Sequence, residues 1–356
     1  MYMNIYTELD IDGYQRVVRC DNKKVGFSAW AAVHDTTMGP ALGGCRVWNY
    51  DSDEAALTDV LRLSKGMTYK NALAGLNLGG GKSVVRADLT TVDRTALFEN
   101  FGKFVEFLDG LYITAEDVNS TLADMEVVRQ QTEHVATVGA SGNPSPFTAY
   151  GVYCGIRTSA RHRLKKEKLE GLTVAIQGVG ETGARLAEML AADRCRVIAA
   201  DINRQNLKRL REKIHFDQIS PEKIYNADCD IFAPCALGGI LNQQTIPKLC
   251  CSIVAGSANN QLLREDDGET MRKRGILYAP DFAINAGGVI NIDCEIGREY
   301  DPDRARQKTA AIATTLQKIF DLSDKEGMPT NRVAIKLAEE LLAEQREHSE
   351  PLLRTA

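Results

Sequence analysis

Excess positive charge is missing from this 356-residue chain, in which 43 Lys and Arg stand against 48 Asp and Glu for a formal net charge of -5. A nucleic-acid partner would need a basic face, so that class is set aside. No stretch reaches the roughly 20 apolar residues of a membrane span. The stretch Met1 to Gln15 carries acids and lacks the basic-then-apolar order of a secretion signal, so a cytoplasmic protein is expected. Cysteine occurs nine times but never as Cys-x-x-Cys. Without a secretion signal these read as free thiols, the vicinal Cys250–Cys251 pair being expected buried in or beside a strand. With only five scattered histidines, no metal site is expected. Internal repeats and low-complexity segments are missing too, and the mixed run Lys165-Lys166-Glu167-Lys168 reads as a solvated face. What is left is a globular composition, 44% hydrophobic and 26% charged, long enough for two domains.

The second half carries the first positive signal. Leu172 to Gln177 is a short β-rich run, and Gly178-Val179-Gly180-Glu181-Thr182-Gly183 follows at once. Ala184 to Ala192 is helix-forming, with Leu186, Met189 and Leu190 on one side; Arg196 to Ala200 is a second β run, closed by Asp201. Strand, glycine turn, helix, strand and acid in this order form a dinucleotide-binding unit. Gly178 permits the tight turn, Gly180 lets the backbone approach a pyrophosphate and Gly183 allows close helix-to-strand packing. The helix N-terminus offers free N–H groups and a positive dipole end to the phosphates. Asp201 stands where an acid accepts hydrogen bonds from a ribose 2′-OH and repels a 2′-phosphate, which favours NAD over NADP, although Arg204 is close by. Further strands are expected at Cys229–Ala233, Ser252–Ala255 and Ile276–Ala279, each ending in a loop, as buried parallel strands do.

The first half reads as a separate α/β unit. A β run is expected over Gly26–His34 and helices over Ser52–Tyr69, Thr95–Leu108 and Thr121–Thr132. Ser141 to Pro146 is a turn-rich hinge candidate, and a helical tail is expected from about Asp303 to His348. In Leu76-Asn-Leu-Gly-Gly-Gly-Lys82, three glycines bring the backbone close to something and then present one lysine. A single lysine is most often solvated surface. One in a tight, partly desolvated pocket has a depressed pKa and can act as a base near neutral pH. Lys70 lies twelve residues earlier, and two ammonium groups in one cleft would each lower the other's pKa. Tyr112-Ile-Thr-Ala-Glu116-Asp117 suits a strand end that carries a carboxylate into a cleft, or a cap for the helix over Thr121–Thr132. Pro40-Ala-Leu-Gly43-Gly44 reads as another close-approach loop.

These segments resemble the glutamate/leucine/phenylalanine/valine dehydrogenase family over nearly the whole chain. The Leu76–Leu89 run matches that family's signature around its catalytic lysine. Gly66-Met-Thr-Tyr-Lys70, Asp230 to Gly238, Ala255 to Gln261 and Tyr278 to Gly288 match as well. Within the family the likeness is to the leucine-oxidising members, through Ala72 to Lys82 and Ser141 to Tyr153. The resemblance implies an α/β fold in two domains with a C-terminal helical segment. Residues 1–145 would be the substrate-binding and oligomerisation domain, 146–325 a Rossmann-type NAD-binding domain, and 326–356 the helical segment. It also implies NAD-dependent, reversible oxidative deamination of L-leucine and other branched-chain L-amino acids to 2-oxo acids and ammonia, by a homo-oligomer, octamer or dimer.

By the same resemblance Lys82 activates water for attack on the imine carbon, Lys70 binds the substrate carboxylate and Asp117 handles protons at the substrate nitrogen. Gly43 and Gly44 line the carboxylate side. Thr148, Asn259 and Asn285 lie near the nicotinamide and its amide, and Cys235, Ala236 and Leu237 pass beside the cofactor. Leu42, Met67, Ala115 and Val289 line the side-chain pocket, where no basic residue stands out to pair with a glutamate side chain. Asn119-Ser120 departs from the glycine and threonine of leucine-type members, and an asparagine there is found in aromatic-specific ones. Phenylalanine or tryptophan oxidation by the same mechanism is therefore the alternative. A non-catalytic NAD-binding regulatory protein would be expected to have lost Lys70, Lys82 or Asp117, and all three are present.

Overall fold

A computed structural model describes residues 5–23, 25–136 and 139–353, with side chains to 348. The chain divides into two compact units. Unit 1 comprises 1–143, 295–300 and 339–356; unit 2 comprises 144–294 and 301–338.

Unit 1 is a six-stranded mixed sheet. Its elements run β1 (Tyr6–Glu8), β2 (Arg16–Asn22), β3 (Phe27–Asp35), β4 (Ala41–Trp48), α1 (Asp53–Leu73), β5 (Gly79–Arg86), α2 (Arg94–Phe107), β6 (Tyr112–Glu116) and α3 (Leu122–Arg129). The strand order is β1-β2-β3-β5-β4-β6. Pairing is antiparallel from β1 to β5 and parallel across β5, β4 and β6. Alternation along each strand sorts the side chains onto two faces. Val17, Trp30, Ala32 and Val84 pack with Ala56, Val60 and Leu63 of α1. Val18, Ala31, Val33 and Val85 pack with Phe98, Phe101, Phe104, Met125 and Val128 of α2 and α3. The helices start on side-chain caps that satisfy orphan N–H groups: Ser52 for α1, Asp93 for α2 and a Thr121–Asp124 capping box for α3.

Unit 2 runs α4 (Ser145–Leu164), β7 (Thr173–Gln177), α5 (Glu181–Ala192), β8 (Arg196–Ala200), α6 (Arg204–Arg211), β9 (Asp217–Gln218), β10 (Ile231–Pro234), β11 (Ile253–Val254), α7 (Asp267–Lys273), β12 (Leu277–Tyr278), α8 (Asp281–Ile284), α9 (Gly287–Asp293), α10 (Pro302–Ala310) and α11 (Ile312–Glu326). Its sheet is wholly parallel in the order β12-β11-β10-β7-β8-β9. Counted in chain order from β7 this is 3-2-1-4-5-6, the doubly wound Rossmann arrangement. The winding reverses between β7 and β10, the place where sheets of this kind form a ligand crevice. α12 (Thr330–Leu353) begins in unit 2 and from Glu339 onward belongs to unit 1.

Several sequence expectations need correction. Ala41 to Gly44 is no loop but the first half of β4, held between β5 and β6. Glycines inside a strand normally weaken it and hide it from a propensity reading; here they are required by neighbours described below. Cys250 is exposed while Cys251 is buried, so the vicinal pair is half in and half out. The Thr121–Thr132 helix is shorter than expected, ending at Arg129, and Thr121, not Asp117, caps it. The long helix α4 begins inside the Ser141–Pro146 segment read as a hinge. All nine cysteines are free, and Lys165 to Lys168 is exposed. No helix among the described residues is long and apolar enough to cross a membrane.

Candidate active site and dinucleotide cradle

In unit 1 the seam between α1 and β5 is unusually close. A Cβ on Gly80 would lie 2.0 Å from Thr68 Oγ1 and 2.2 Å from Thr68 N, so only glycine lets α1 press onto β5 here. The Leu76–Lys82 glycines are explained by this contact and by their other face, where a Cβ on Gly81 would meet the Tyr112 ring at 2.7 Å. Two residues beyond Gly80, and on the same face by strand alternation, comes Lys82. Its side chain is 6% exposed and its Nζ lies 3.1 Å from Asp117 Oδ2. Asp117 directly follows β6, as a strand-end carboxylate should.

Burial lowers the Lys82 pKa; Asp117 opposes that shift and the Arg46 cation adds to it. For Asp117, burial alone would raise the pKa, but the Lys82 and Arg46 charges outweigh it and hold the carboxyl at about 2. The site therefore keeps a permanent carboxylate against an amine that gives up its proton more easily than a solvated lysine.

The turn that carries Asp117 is bolted to β4. Ser120 Oγ accepts from Asp117 N at 2.8 Å and donates to Cys45 O at 2.7 Å. Asn119 lies in the left-handed region, φ 62°, and its Nδ2 donates to Val47 O at 3.0 Å. This region suits Gly and Asn and few other residues. On β4, pairing with β5 runs Ala41–Gly79 and Leu42–Gly80 and resumes at Cys45–Ser83, skipping Gly43 and Gly44 beside Gly81 and Lys82. The Gly43 carbonyl instead accepts from Tyr112 OH at 2.5 Å. A Cβ on Gly44 would lie 2.7 Å from Asp117 Cβ, so Gly44 is what lets Asp117 sit against the strand.

Met67 and Lys70 are three apart on α1 and share one face. Met67 reaches the strand, since a Cβ on Gly43 would meet its Cγ at 3.4 Å. Leu42 and Ala115 are buried on β4 and β6. Sequence reading missed Arg46, whose Nε is 3.2 Å from Asp117 Oδ2 and whose Nη1 is 3.0 Å from Asp59 Oδ2, an oxygen that also accepts from Tyr50 OH at 2.6 Å. The only trace in the sequence is an arginine on an otherwise apolar strand.

Unit 2 holds the second group of residues. Gly178 has φ 90°, and a Cβ on it would meet Ala236 Cβ at 2.8 Å, so the turns after β7 and β10 touch at the switch point. A Cβ on Gly183 would lie 2.0 Å from the Gly178 carbonyl oxygen, whereas around Gly180 there is open space. Val179 N donates to Asp201 Oδ2 at 2.8 Å, and Asn203 N and Asn206 Nδ2 also donate to the carboxylate, which is thereby fixed at the end of β8. Cys235 N donates to Gln177 O at 2.7 Å, tying the start of its loop to β7. Thr148 lies on α4, with Oγ1 donating to Pro144 O. Asn285 Nδ2 donates to Asn259 Oδ1 at 2.8 Å and to Ser257 O. Val289 is buried on α9.

A dinucleotide fits these residues on three observations. The N-terminus of α5, at Gly180, Glu181 and Thr182, has no side-chain cap and so keeps its first N–H groups for a phosphate. The space beside Gly180 is open. Buried Asn285 Oδ1 has no hydrogen-bond partner among the described residues and is available to an amide N–H.

A doubly wound sheet with a phosphate cradle, and a separate unit with a buried lysine–carboxylate pair, define a nicotinamide-dependent dehydrogenase. A family model described as the Glu/Leu/Phe/Val dehydrogenase dimerisation domain matches residues 14–134, and one described as Glutamate/Leucine/Phenylalanine/Valine dehydrogenase matches 194–322. The chain belongs to the Glu/Leu/Phe/Val dehydrogenase family. It is 45% identical to leucine dehydrogenase of Geobacillus stearothermophilus, over 99% of this chain and 97% of the relative. It is 42% identical to L-tryptophan dehydrogenase of Nostoc punctiforme, over 92% of this chain and 93% of that one. The crystal structure of L-tryptophan dehydrogenase from Nostoc punctiforme superposes with a TM-score of 0.79 at 40% identity, covering 94% of this chain and 97% of that chain.

Proposed function

We propose that this enzyme catalyses the NAD-dependent, reversible oxidative deamination of L-leucine and other branched-chain L-amino acids to 2-oxo acids and ammonia. The observation that carries the reading is the buried Lys82–Asp117 pair at 3.1 Å. Lys70 holds the substrate carboxylate, with the Gly43–Gly44 backbone on that side. The bound cofactor supplies hydride acceptance from the substrate Cα. Lys82, with its proton affinity lowered by burial, takes a proton from the water that adds to the imine. Asp117, ionised at working pH, passes protons to and from the departing nitrogen. Leu42, Met67, Ala115 and Val289 form the apolar surround of the substrate side chain.

Thr148, Asn259 and Asn285 orient the nicotinamide end of the cofactor, and Val179, Glu181 and Thr182, with the three glycines, cradle its phosphates. Cys235 and Ala236 flank it at the switch point. NAD rather than NADP follows from Asp201, whose fixed carboxylate would repel a 2′-phosphate. The enzyme acts as a homo-oligomer in the cytoplasm; the match of its first unit to a dimerisation-domain model supports assembly.

The leucine reading rests on relatives of that name at 43–45% identity over nearly the full length. NADH absorbance with leucine, valine, isoleucine, phenylalanine, tryptophan and glutamate tests it. The branched-chain substrates should turn over fastest, and turnover confined to phenylalanine or tryptophan would replace the substrate assignment. Lys82→Ala should abolish turnover and leave NADH binding, followed by fluorescence, nearly intact. Normal turnover in that variant would remove the mechanism.

A further inference from the structure

Arg46 has no part in the reaction as described, yet its side chain, 17% exposed, is wedged against the reacting pair. Its guanidinium shares Asp117 Oδ2 with Lys82, at 3.2 and 3.1 Å. Charge balance does not require it, because Asp117 alone neutralises Lys82. Two cations on one carboxylate oxygen repel each other, and that repulsion falls on whichever can lose a proton. Arginine cannot at any working pH, and lysine can. Behind the guanidinium stands Asp59 of α1, held in turn by Tyr50 OH, so Arg46 is clamped from both ends.

We propose that Arg46 is a positioning residue for amino-acid oxidation, holding Asp117 in place and, with Asp59 as its counter-charge, setting the pH at which Lys82 becomes the neutral base. The proposal rests on the roles given to Lys82 and Asp117 above. The other groups around Lys82 do not compete for this role. The Cys45 thiol on β4 is kept protonated by burial, and so is the Tyr112 hydroxyl on β6. Burial, and then Asp117, raise the Glu116 pKa. Lys70 on α1 is assigned to the substrate carboxylate. Among the described residues only Arg46 places a permanent charge on the oxygen that Lys82 touches.

The test is the pH profile of kcat/KM, followed by NADH formation from the best of the six L-amino acids over about pH 6 to 11. The enzyme loses activity on the acid side as Lys82 is protonated. Arg46→Gln removes a cation and should move that acid limb upward by about one unit. Asp59→Asn keeps an acceptor for Tyr50 but unmasks the Arg46 charge, and should move the limb downward. Arg46→Lys supplies a cation that can itself lose a proton, so its limb should lie between those of the wild type and Arg46→Gln while kcat falls. Opposite shifts in the first two variants are not produced by simple loosening of the site. Limbs that stay put, or move the same way, overturn the proposal. If Arg46→Gln does not fold, the Asp59→Asn shift decides by itself, and its absence is a refutation. A wild-type enzyme without amino-acid-dependent NADH formation, or Lys82→Ala with full turnover, defeats the underlying reading instead. Wild-type turnover with unmoved limbs defeats only the role of Arg46.

Discussion

Asn119 is occupied with backbone work. Its φ of 62° and its bond to Val47 O fasten the turn that delivers Asp117. Glycine and asparagine are the residues that adopt this conformation at little cost, so the asparagine does not argue for an aromatic substrate. Asn119→Gly should leave the order of preference among leucine, valine, phenylalanine and tryptophan unchanged and alter stability by no more than about 1 kcal/mol. Kinetics on that panel, with a denaturant titration, check both. His34 gives a second residue-scale expectation. Burial, reinforced by Lys65, lowers its pKa from 6.5 to about 4, and its Nδ1 is 2.8 Å from Thr68 Oγ1. Between these two values the unfolded chain binds a proton that the folded chain does not, so His34 favours the fold above pH 6.5 and that contribution is lost as pH falls toward 4. Thermal melts at about pH 7 and about pH 5 should show a smaller loss in His34→Gln than in the parent.

At the scale of elements, the α1–β5 seam carries the supports of both lysines proposed for the site, Lys70 on the helix and Lys82 on the strand. Gly80→Ala puts a methyl inside Thr68, and the helix must lift. A destabilisation of about 3 kcal/mol is expected in urea unfolding, with loss of turnover in whatever folds. The same seam marks how much could be read beforehand. The Gly178–Asp201 unit was legible because strand, turn, helix and acid are local and their spacing is set by one βαβ geometry. Lys82 and Asp117 were legible as candidates because glycines and a strand end flag them. β4 was not, because its Gly43 and Gly44 are dictated by Gly81 and Asp117, residues distant along the chain. Arg46 went unread for a related reason: its meaning lies in two carboxylates, Asp59 and Asp117, that only the folded sheet and helix bring to it.

At the scale of the molecule, α12 passes from unit 2 into unit 1 at Glu339. There Tyr69 OH donates to Glu339 at 3.0 Å, and Arg346 pairs with Asp35, whose carbonyl oxygen a Cβ on Gly79 would strike. The end of this helix thus braces both the lysine-bearing helix and the glycine run. A chain stopped after Ala338 should still bind NADH, seen by fluorescence, while oxidation of amino acids falls more than about tenfold. Full activity in the shortened chain would show that the brace is dispensable. The division of α12 also orders events during synthesis. The ribosome delivers the strands of unit 1 first but Glu339 and Arg346 only after the whole of unit 2, so unit 1 must wait, unfinished, until unit 2 has been made.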